Sequence, residues 1–518
     1  MHGSNSGAAR AAAIVGPYLS GKSALADALR LACNARPPNG SAKDGGQRSS
    51  HDHQMGMESI LHHGSYLGEN WTFLDCPGSI EFAEATHAAL MVSDIAVVVC
   101  EPVIEKAQAL APLLHFLDDR KIPHLLFVNK MDAATVPIQE LMEALQAVSR
   151  RPLLLRQVPI RDGGGHVTGY VDLASERAYA YLEGVPSKLI QMPEGVRDRE
   201  AKARQTMLEK LADFDDALLE KLLDDVVPTT AEIYADFARD VADDLVVPVL
   251  LGAAEHQSGV ERLLKALRHD TPPLEATWAR QHIPNETVIA RVFKTVYVPH
   301  TGKASHIRLF RGTLKDGQSL GEHRISGLYR TEGQVLEKIS EAGPGDIVAL
   351  GRMEAIKTGQ LLTASGIAAD GRDWPRTEKP VYAVAIHPDR REDEVKLSSA
   401  LAKIAEEDPS LSPEMNPDTQ ELLLWGQGEF HIKAALEKLK KTYNVTVQMT
   451  PPKIAYRETI QKSISQHGRH KKQTGGHGEF GDVHITVSPL PRGSGFAFSN
   501  TVTGGSVPRQ YIPSVEAG

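Results

Sequence analysis

Three short segments of this chain carry residue types able to hold a nucleoside triphosphate. Gly16-Pro17-Tyr18-Leu19-Ser20-Gly21-Lys22-Ser23 fits the G-x-x-x-x-G-K-[ST] phosphate loop, in which backbone N–H groups surround phosphate oxygens. In such a loop Lys22 reaches the β- and γ-phosphates and the Ser23 hydroxyl ligates Mg²⁺. Asp75-Cys76-Pro77-Gly78 follows the apolar stretch Trp71-Thr-Phe-Leu74. Asp75 is therefore expected at a strand end, holding Mg²⁺ through water, with Gly78 offering a backbone N–H to the γ-phosphate. Asn129-Lys130-Met131-Asp132 follows a second apolar run, Leu125–Val128. Asp132 there would accept from guanine N1–H and the exocyclic amine, a donor pair that adenine lacks. The three segments together point to Mg²⁺ and GTP.

The segments need strands to end where they begin. Ala11–Val15 reads as a buried strand feeding the loop, and Lys22–Ala32 as the helix after it. Apolar runs recur at Thr72–Leu74, Ile95–Cys100, Leu125–Val128 and Val246–Leu251, with helical patterns between them at Glu81–Val92, Lys106–Asp119 and Gly259–Arg268. Strands alternating with helices predict a doubly wound, mostly parallel sheet with its ligand at the carboxyl ends of the strands. Residues 152–244 break the alternation, with a hairpin around Asp162-Gly-Gly-Gly165 and a charged helical stretch, Arg197–Asp225; they read as an insert. The nucleotide domain spans 10–275 and ends at the linker Thr271-Pro-Pro273. Short strands with turn residues over 285–366 suit a β-barrel. The β-α-β-α-β pattern over 379–454 suits a ferredoxin-like sandwich, and 455–518 is the start of a fourth unit.

The bulk properties fit this multidomain α/β, β-barrel and α+β reading. The chain has 518 residues, too many for one core. Apolar runs such as Ile95–Cys100 and Ile122–Val128 are far shorter than a membrane span. Met1–Arg10 lacks the apolar core of a signal peptide, and Cys33, Cys76 and Cys100 form neither a disulfide framework nor zinc spacing, so a cytoplasmic setting is expected. A net charge of −9 argues against nucleic-acid binding over the whole surface but leaves room for a local basic patch.

The chain resembles elongation factor G from about Ala11 to its last residue. The resemblance is carried by the nucleotide motifs and by LSSALAKIAEEDP (397–409), Gly426-Gln-Gly-Glu429-Phe-His431, Ala455-Tyr-Arg-Glu458-Thr, the Gly468–Gly481 segment and PLPRGSG (489–495). It implies a monomeric GTPase acting on the ribosome (its rRNA and proteins) during translocation, with the fourth domain approaching the tRNA–mRNA region. It also implies five domains, so that the sequence stops inside the fourth and reads as a fragment or an incomplete gene product. Several positions depart from the family pattern. The family's water-orienting His after D-x-P-G is Ser79. The place of its Mg²⁺-binding switch Thr falls at His53-Gln-Met-Gly56 or Met57, with Ser59 the nearest hydroxyl. Its G-S-A base loop is Gly252-Ala253-Ala254, which can still donate an N–H to guanine O6. Pro17 removes one loop donor.

Blander roles compete at several places. Ser79 is preferred as the N-cap of the following helix rather than as a water-positioner, because Ser is a favoured cap. Loss of a water-orienting group typically costs about a hundredfold in rate. Lys22, Gly78 and Ser79 are the catalytic candidates, and slow or partner-dependent hydrolysis is expected. His51, His53, His62 and His63 read as a solvated switch loop, since they lack zinc-site spacing. Arg469-His-Lys-Lys-Gln473, beside Gly475, Gly476 and Gly478, reads as a basic, Gly-rich loop able to follow an RNA backbone. Two alternatives stay open: a GTP-dependent ribosome-associated regulator that hardly hydrolyses, and a P-loop enzyme of another class, against which Asn129 and Asp132 speak.

Overall fold

The computed structural model describes residues 7–33, 56–281, 286–298, 301–333, 335–368, 374–456 and 458–518. His51 and His53 lie outside them. The nucleotide domain contains β1 (Arg10–Val15), α1 (Lys22–Ala32), β2 (Ile60–Tyr66), β3 (Glu69–Asp75), α2 (Ala83–Met91), β4 (Ile95–Cys100), α3 (Ala111–Asp119), β5 (His124–Val128), α4 (Ile138–Gln146) and β6 (Leu153–Leu155). Then come β7 (Gln157–Arg161), β8 (Val167–Asp172), β9 (Arg177–Leu182), β10 (Val185–Ile190), α5 (Arg197–Ala212), α6 (Asp216–Leu223), α7 (Thr230–Ala242), β11 (Val247–Leu251), α8 (Val260–Asp270) and α9 (Leu274–Arg280).

The main sheet runs β2-β3-β1-β4-β5-β11-β6. Its strands are parallel except for β2, which pairs antiparallel with β3. Its central strands are buried on both faces, which is why they read as unbroken apolar runs. In β1 and β4, Ala12, Ile14, Ile95, Val97 and Val99 pack on one face with Leu25 and Leu29 of α1, while Ala11, Ala13, Val15, Ala96 and Val98 pack on the other with Leu114 and Leu117 of α3. The insert adds a four-stranded antiparallel sheet, β10-β9-β8-β7.

β2 is absent from the sequence reading, and it corrects the assignment of His62 and His63 to a solvated loop. It is joined to β3 by a two-residue turn, Leu67 (φ 49) and Gly68 (φ 86), the doubly left-handed geometry of a tight hairpin. Leu at the first turn position hides the usual Asn-Gly or Asp-Gly signal. His63 is held by Thr331 O (2.9 Å), Thr72 Oγ1 (3.0 Å) and, at its own N–H, Glu332 Oε2 (3.0 Å). Two expected helices begin with 3-10 turns instead. Ile80–Phe82 precedes α2, and Ile104–Leu110 precedes α3, where Pro112 suits a helix start.

The barrel is antiparallel and centred on Ile289–Val298 paired with Gly302–Arg311. Asp94, at the foot of β4, fastens it to the nucleotide domain. Its carboxylate accepts from the Ala11 N–H (2.7 Å), Thr277 Oγ1 (2.7 Å) and Arg308 Nη2 (2.8 Å), and Arg308 also reaches Ala9 O.

The third domain runs Tyr382–Pro388, α10 (Glu394–Glu407), Ser412–Met415, Leu422–Gly426, α11 (Glu429–Tyr443) and Val447–Thr450. The strand Ser412–Met415, missing from the sequence reading, completes the four-stranded sheet. Its interior residues, Pro413 and Glu414, explain the omission, and as an edge strand it tolerates them.

Pro417–Gln420 and Lys453–Gly518 form a separate contact unit. There Ile464–Thr474 and His477–Val487 pair as a long hairpin around Gly475 (φ 51) and Gly476 (φ 109). Arg469–Gln473 therefore lies along a strand and not in a loop, with Arg469 beside Asp482 (3.6 Å) and His470 beside Glu479 (3.1 Å).

Candidate functional site

The three motif segments converge at the carboxyl edge of the main sheet, after β1, β3 and β5. Gly16 leaves β1 with φ 143, and a Cβ there would stand 2.2 Å from Val99 O. Gly21 has φ 90 and lies against Asn129, where a Cβ would meet Nδ2 at 2.2 Å. Both positions thus require glycine for the loop to turn and for its base to close on the third motif. Lys22 is buried, and its Nζ donates to Pro17 O at 2.8 Å. Burial lowers its pKa and Asp75 partly offsets this, which is the condition of an ammonium that an anion would stabilise. Ser20 Oγ is buried without a partner among the described residues. Tyr18 and Leu19 are exposed.

Asp75 ends β3 and is buried, and its Oδ1 has no hydrogen-bond partner among the described residues. Burial raises its pKa, opposed by a hydrogen bond from Ser23. A hydroxyl beside a carboxylate with a spare oxygen is a donor set that suits a hard divalent cation such as Mg²⁺. Cys76 and Pro77 are tied into the domain by bonds of their own. The Cys76 N–H donates to Ile14 O (3.1 Å), burial pushes its thiol up to about 12, and Pro77 O accepts from Thr86 Oγ1 (3.1 Å). Gly78 rests on the phosphate loop, where a Cβ would stand 2.3 Å from Lys22 Nζ and 2.9 Å from Tyr18 N.

Ser79 is extended (φ −85, ψ 139), and its Oγ accepts from the Glu81 N–H at 3.3 Å. It is the N-cap of the 3-10 turn, the bland role weighed for it above. Ser59, the nearest substitute for a switch threonine, is buried and donates to Ala85 O (3.2 Å). Its hydroxyl is thereby engaged with α2. Gly56 and Met57 are exposed.

On the base side, Asn129 is a bracket. Its Nδ2 donates to Ser20 O (3.0 Å) and its Oδ1 accepts from the Ala254 N–H (2.9 Å), tying the phosphate loop to the segment after β11. The Ala253 N–H goes to Ser258 O (3.0 Å). The Ala253 and Ala254 amides, from which one N–H to guanine O6 was expected, are therefore both engaged within the protein in this structure. Met131 is buried and its N–H donates to Gly252 O (3.0 Å). Lys130, at φ 59, sends its Nζ to Leu19 O (2.8 Å) and Glu101 Oε1 (2.6 Å). Asp132 is exposed, with His256 Nε2 3.6 Å from its Oδ2.

Comparison with known proteins decides the family. Residues 8–273 match the elongation factor Tu GTP binding domain, residues 377–451 match elongation factor G domain III, and residues 452–518 match elongation factor G domain IV. An elongation factor G-like protein of Synechocystis sp. is 47% identical over 519 residues, covering 98% of this chain and 77% of that protein. The chain belongs to the elongation factor G-like family of translational GTPases. Elongation factor G of Thermotoga maritima is 30% identical over 479 residues, 88% of this chain and 68% of that protein. Among solved structures, a crystal structure of a Thermus thermophilus protein superposes with a TM-score of 0.84 at 31% identity, covering 98% of this chain and 77% of that one. No helix of the described residues is long and apolar enough to cross a membrane.

Two neighbours of the site escape motif reading. Glu101 follows β4 at the same carboxyl edge and pairs with both Lys130 and Lys106. Its signal was an acidic residue directly after a buried strand of a doubly wound sheet. His256 reaches Asp132 only because the segment after β11 folds back, and no local pattern announces that.

Proposed function

We propose that this family member binds Mg²⁺·GTP at the described edge and hydrolyses it in contact with the ribosome, slowly unless stimulated. The observation that supports this best is the buried Asp75 Oδ1, unpartnered among the described residues, beside Ser23 and next to a buried Lys22 ammonium. Carboxylate, hydroxyl and ammonium are the groups a metal–triphosphate pair would neutralise. Ser23 and Asp75 would hold Mg²⁺, which supplies charge neutralisation at the phosphates when bound. Lys22 and the loop N–H groups of residues 18–23 take phosphate charge, and the Gly78 N–H is the donor nearest to where the terminal phosphate would sit. Asp132 selects guanine, while Asn129 and Lys130 keep the loop and the base segment in register. Because phosphoryl transfer to water depends on positioning and electrostatics, a missing water-orienting group lowers the rate without abolishing binding.

Ser79 favours a second reading, a GTP-dependent ribosome-associated regulator with little hydrolysis, since its hydroxyl already accepts the cap bond. The family supports a cytoplasmic, monomeric factor whose hairpin of residues 464–487 approaches RNA at the tRNA–mRNA region. Competition of labelled GTP by unlabelled GTP and ATP tests the nucleotide assignment, and equal displacement by ATP would overturn it. Single-turnover hydrolysis with and without ribosomes separates the two readings. Ribosomal stimulation is expected for the GTPase, and binding without stimulation for the regulator.

A further inference from the structure

The hairpin of residues 464–487 carries a second constellation, which shares no residue with the nucleotide motifs. Its register pairs His467 with His484 and Arg469 with Asp482. Side chains alternate between the two faces of a strand, and directly paired residues share a face. His467, Asp482 and His484 therefore stand on one face, together with Ser465, Arg469 and Thr486. Ile464, Val483, Ile485 and Val487 all belong to the other. The three groups thus occupy the polar side of a two-faced hairpin, and all three are exposed. No spacing in the sequence announces them, because pairing of the strands is what brings residue 467 to residues 482 and 484.

They are also close together. His467 Nε2 lies 2.7 Å from Asp482 Oδ1, and the His467 and His484 rings stack with centroids 4.2 Å apart. One ligand atom from each of the three lies within 4.8 Å of the others. The second carboxylate oxygen, Oδ2, faces Arg469 Nε at 3.6 Å, and the Arg469 guanidinium lies 5.7 Å from the centre of the Phe480 ring. A partner behind a ligand in this way orients it toward the metal. Two imidazoles and a carboxylate suit a borderline cation such as Zn²⁺, which binds nitrogen and oxygen at about 2.0–2.2 Å. Tetrahedral ligands at that radius stand about 3.3–3.6 Å apart, and the broad χ2 torsion of histidine lets the rings turn toward one centre at little cost. Asp118, His124 and Asp244 make another such group among the described residues, a buried one. There Arg151 already supplies the positive charge, with Nη2 2.9 Å from Asp244 Oδ2 and Nε 3.8 Å from Asp118 Oδ1.

We propose that His467, Asp482 and His484 bind one Zn²⁺ across the two strands of this hairpin, with water in the fourth position. The ion holds the strands together, since one ligand comes from the first strand and two from the second. A two-stranded hairpin is marginally stable by itself, so a bond from each strand to a common ion resists its opening. Arg469 is the positioning residue, keeping one oxygen of Asp482 engaged while the other faces the histidines. The site stands or falls independently of the nucleotide assignment.

The test titrates Zn²⁺ into the full, zinc-free chain by calorimetry, with Mg²⁺ and GDP in excess so that hard-cation sites are filled. A Zn²⁺ site is expected that His467→Gln, His484→Gln or Asp482→Asn each weaken about tenfold or more, as loss even of a partner behind a ligand can do. His470→Gln is the control. Its side chain belongs to the opposite face, beside Glu479 at 3.1 Å, and its removal should leave the affinity unchanged. Hydrogen exchange reads the clip directly: Zn²⁺ should slow amide exchange across residues 464–487 in the parent and not in His484→Gln. The parent measurement needs no variant and so carries the test if a substitution prevents folding. A parent that binds no Zn²⁺, parental affinity in both His467→Gln and His484→Gln, an equal loss in His470→Gln, or exchange in the parent that Zn²⁺ leaves unchanged would each overturn the proposal.

Discussion

At Ser79 one hydroxyl faces two demands. It caps the 3-10 turn through the Glu81 N–H, and it occupies the place where the family carries an imidazole. A hydroxyl is too short to serve both, so replacing it tests the assignment. Ser79→His is expected to raise ribosome-stimulated single-turnover hydrolysis on the order of tenfold or more. It should also cost about 1 kcal/mol of stability through the lost cap. An unchanged rate with intact GTP binding would show that the missing imidazole does not limit turnover. At Asp132 the expectation concerns selectivity. The carboxylate is exposed, and the role proposed for it is to accept from guanine's two donors, so Asp132→Asn should shift preference from GTP toward xanthosine triphosphate in a competition assay. A preference that stays with guanine would refute the role. The motif residues themselves were readable because a phosphate loop is a local backbone shape, fixed by glycines at set intervals. The cap role of Ser79 was readable for the same local reason, whereas what Ser59 does was not, because its hydroxyl is engaged by a helix whose position depends on the rest of the domain.

Helix α2 shows the same contrast at the level of an element. Its apolar face was legible, but its start was not: Ile80–Phe82 is a 3-10 turn capped by Ser79, and its Glu81 and Phe82 are committed to contacts outside the helix. Glu84, in its first turn, is pushed up to about 7 by burial, opposed by a bond from Thr377 and reinforced by Asp408 and Glu378. Its folded pKa lies above the unfolded value, so folding favours the protonated form. The resulting stability is present in acid and is lost as pH rises from the ordinary carboxylate range through about 7. Glu84→Gln should therefore melt about 2 °C or more above the parent at pH 8. That advantage should disappear near pH 5, and a pH-independent difference would refute the assignment. The edge strand Ser412–Met415 and the hairpin strand β2 were missed for a related reason. Both are half-solvated, so their residues need not be apolar, and pairing with a neighbour defines them rather than their own pattern.

Across the whole molecule, buried charge joins the nucleotide domain to the barrel. Asp94 and Arg308 are each almost fully buried and 2.8 Å apart. Asp94→Ala strands the guanidinium and should cost about 3–5 kcal/mol in equilibrium unfolding. Replacing both by apolar residues of similar volume should cost less than Asp94→Ala alone, and a double variant that loses as much as the two singles together would mean the pair does not act as a unit. The same scale marks the limit of the sequence. By itself it determined the doubly wound domain, the family and the residues that gather at the carboxyl edge of the sheet, because strands buried on both faces, glycine spacing and motif order are encoded within a few residues of one another. Only the tertiary structure decided that α2 engages the Ser59 hydroxyl, that Asn129 brackets two loops, and that Glu81 caps a helix 350 positions away. Those outcomes depend on which distant donor comes to lie opposite which acceptor, and packing alone settles that.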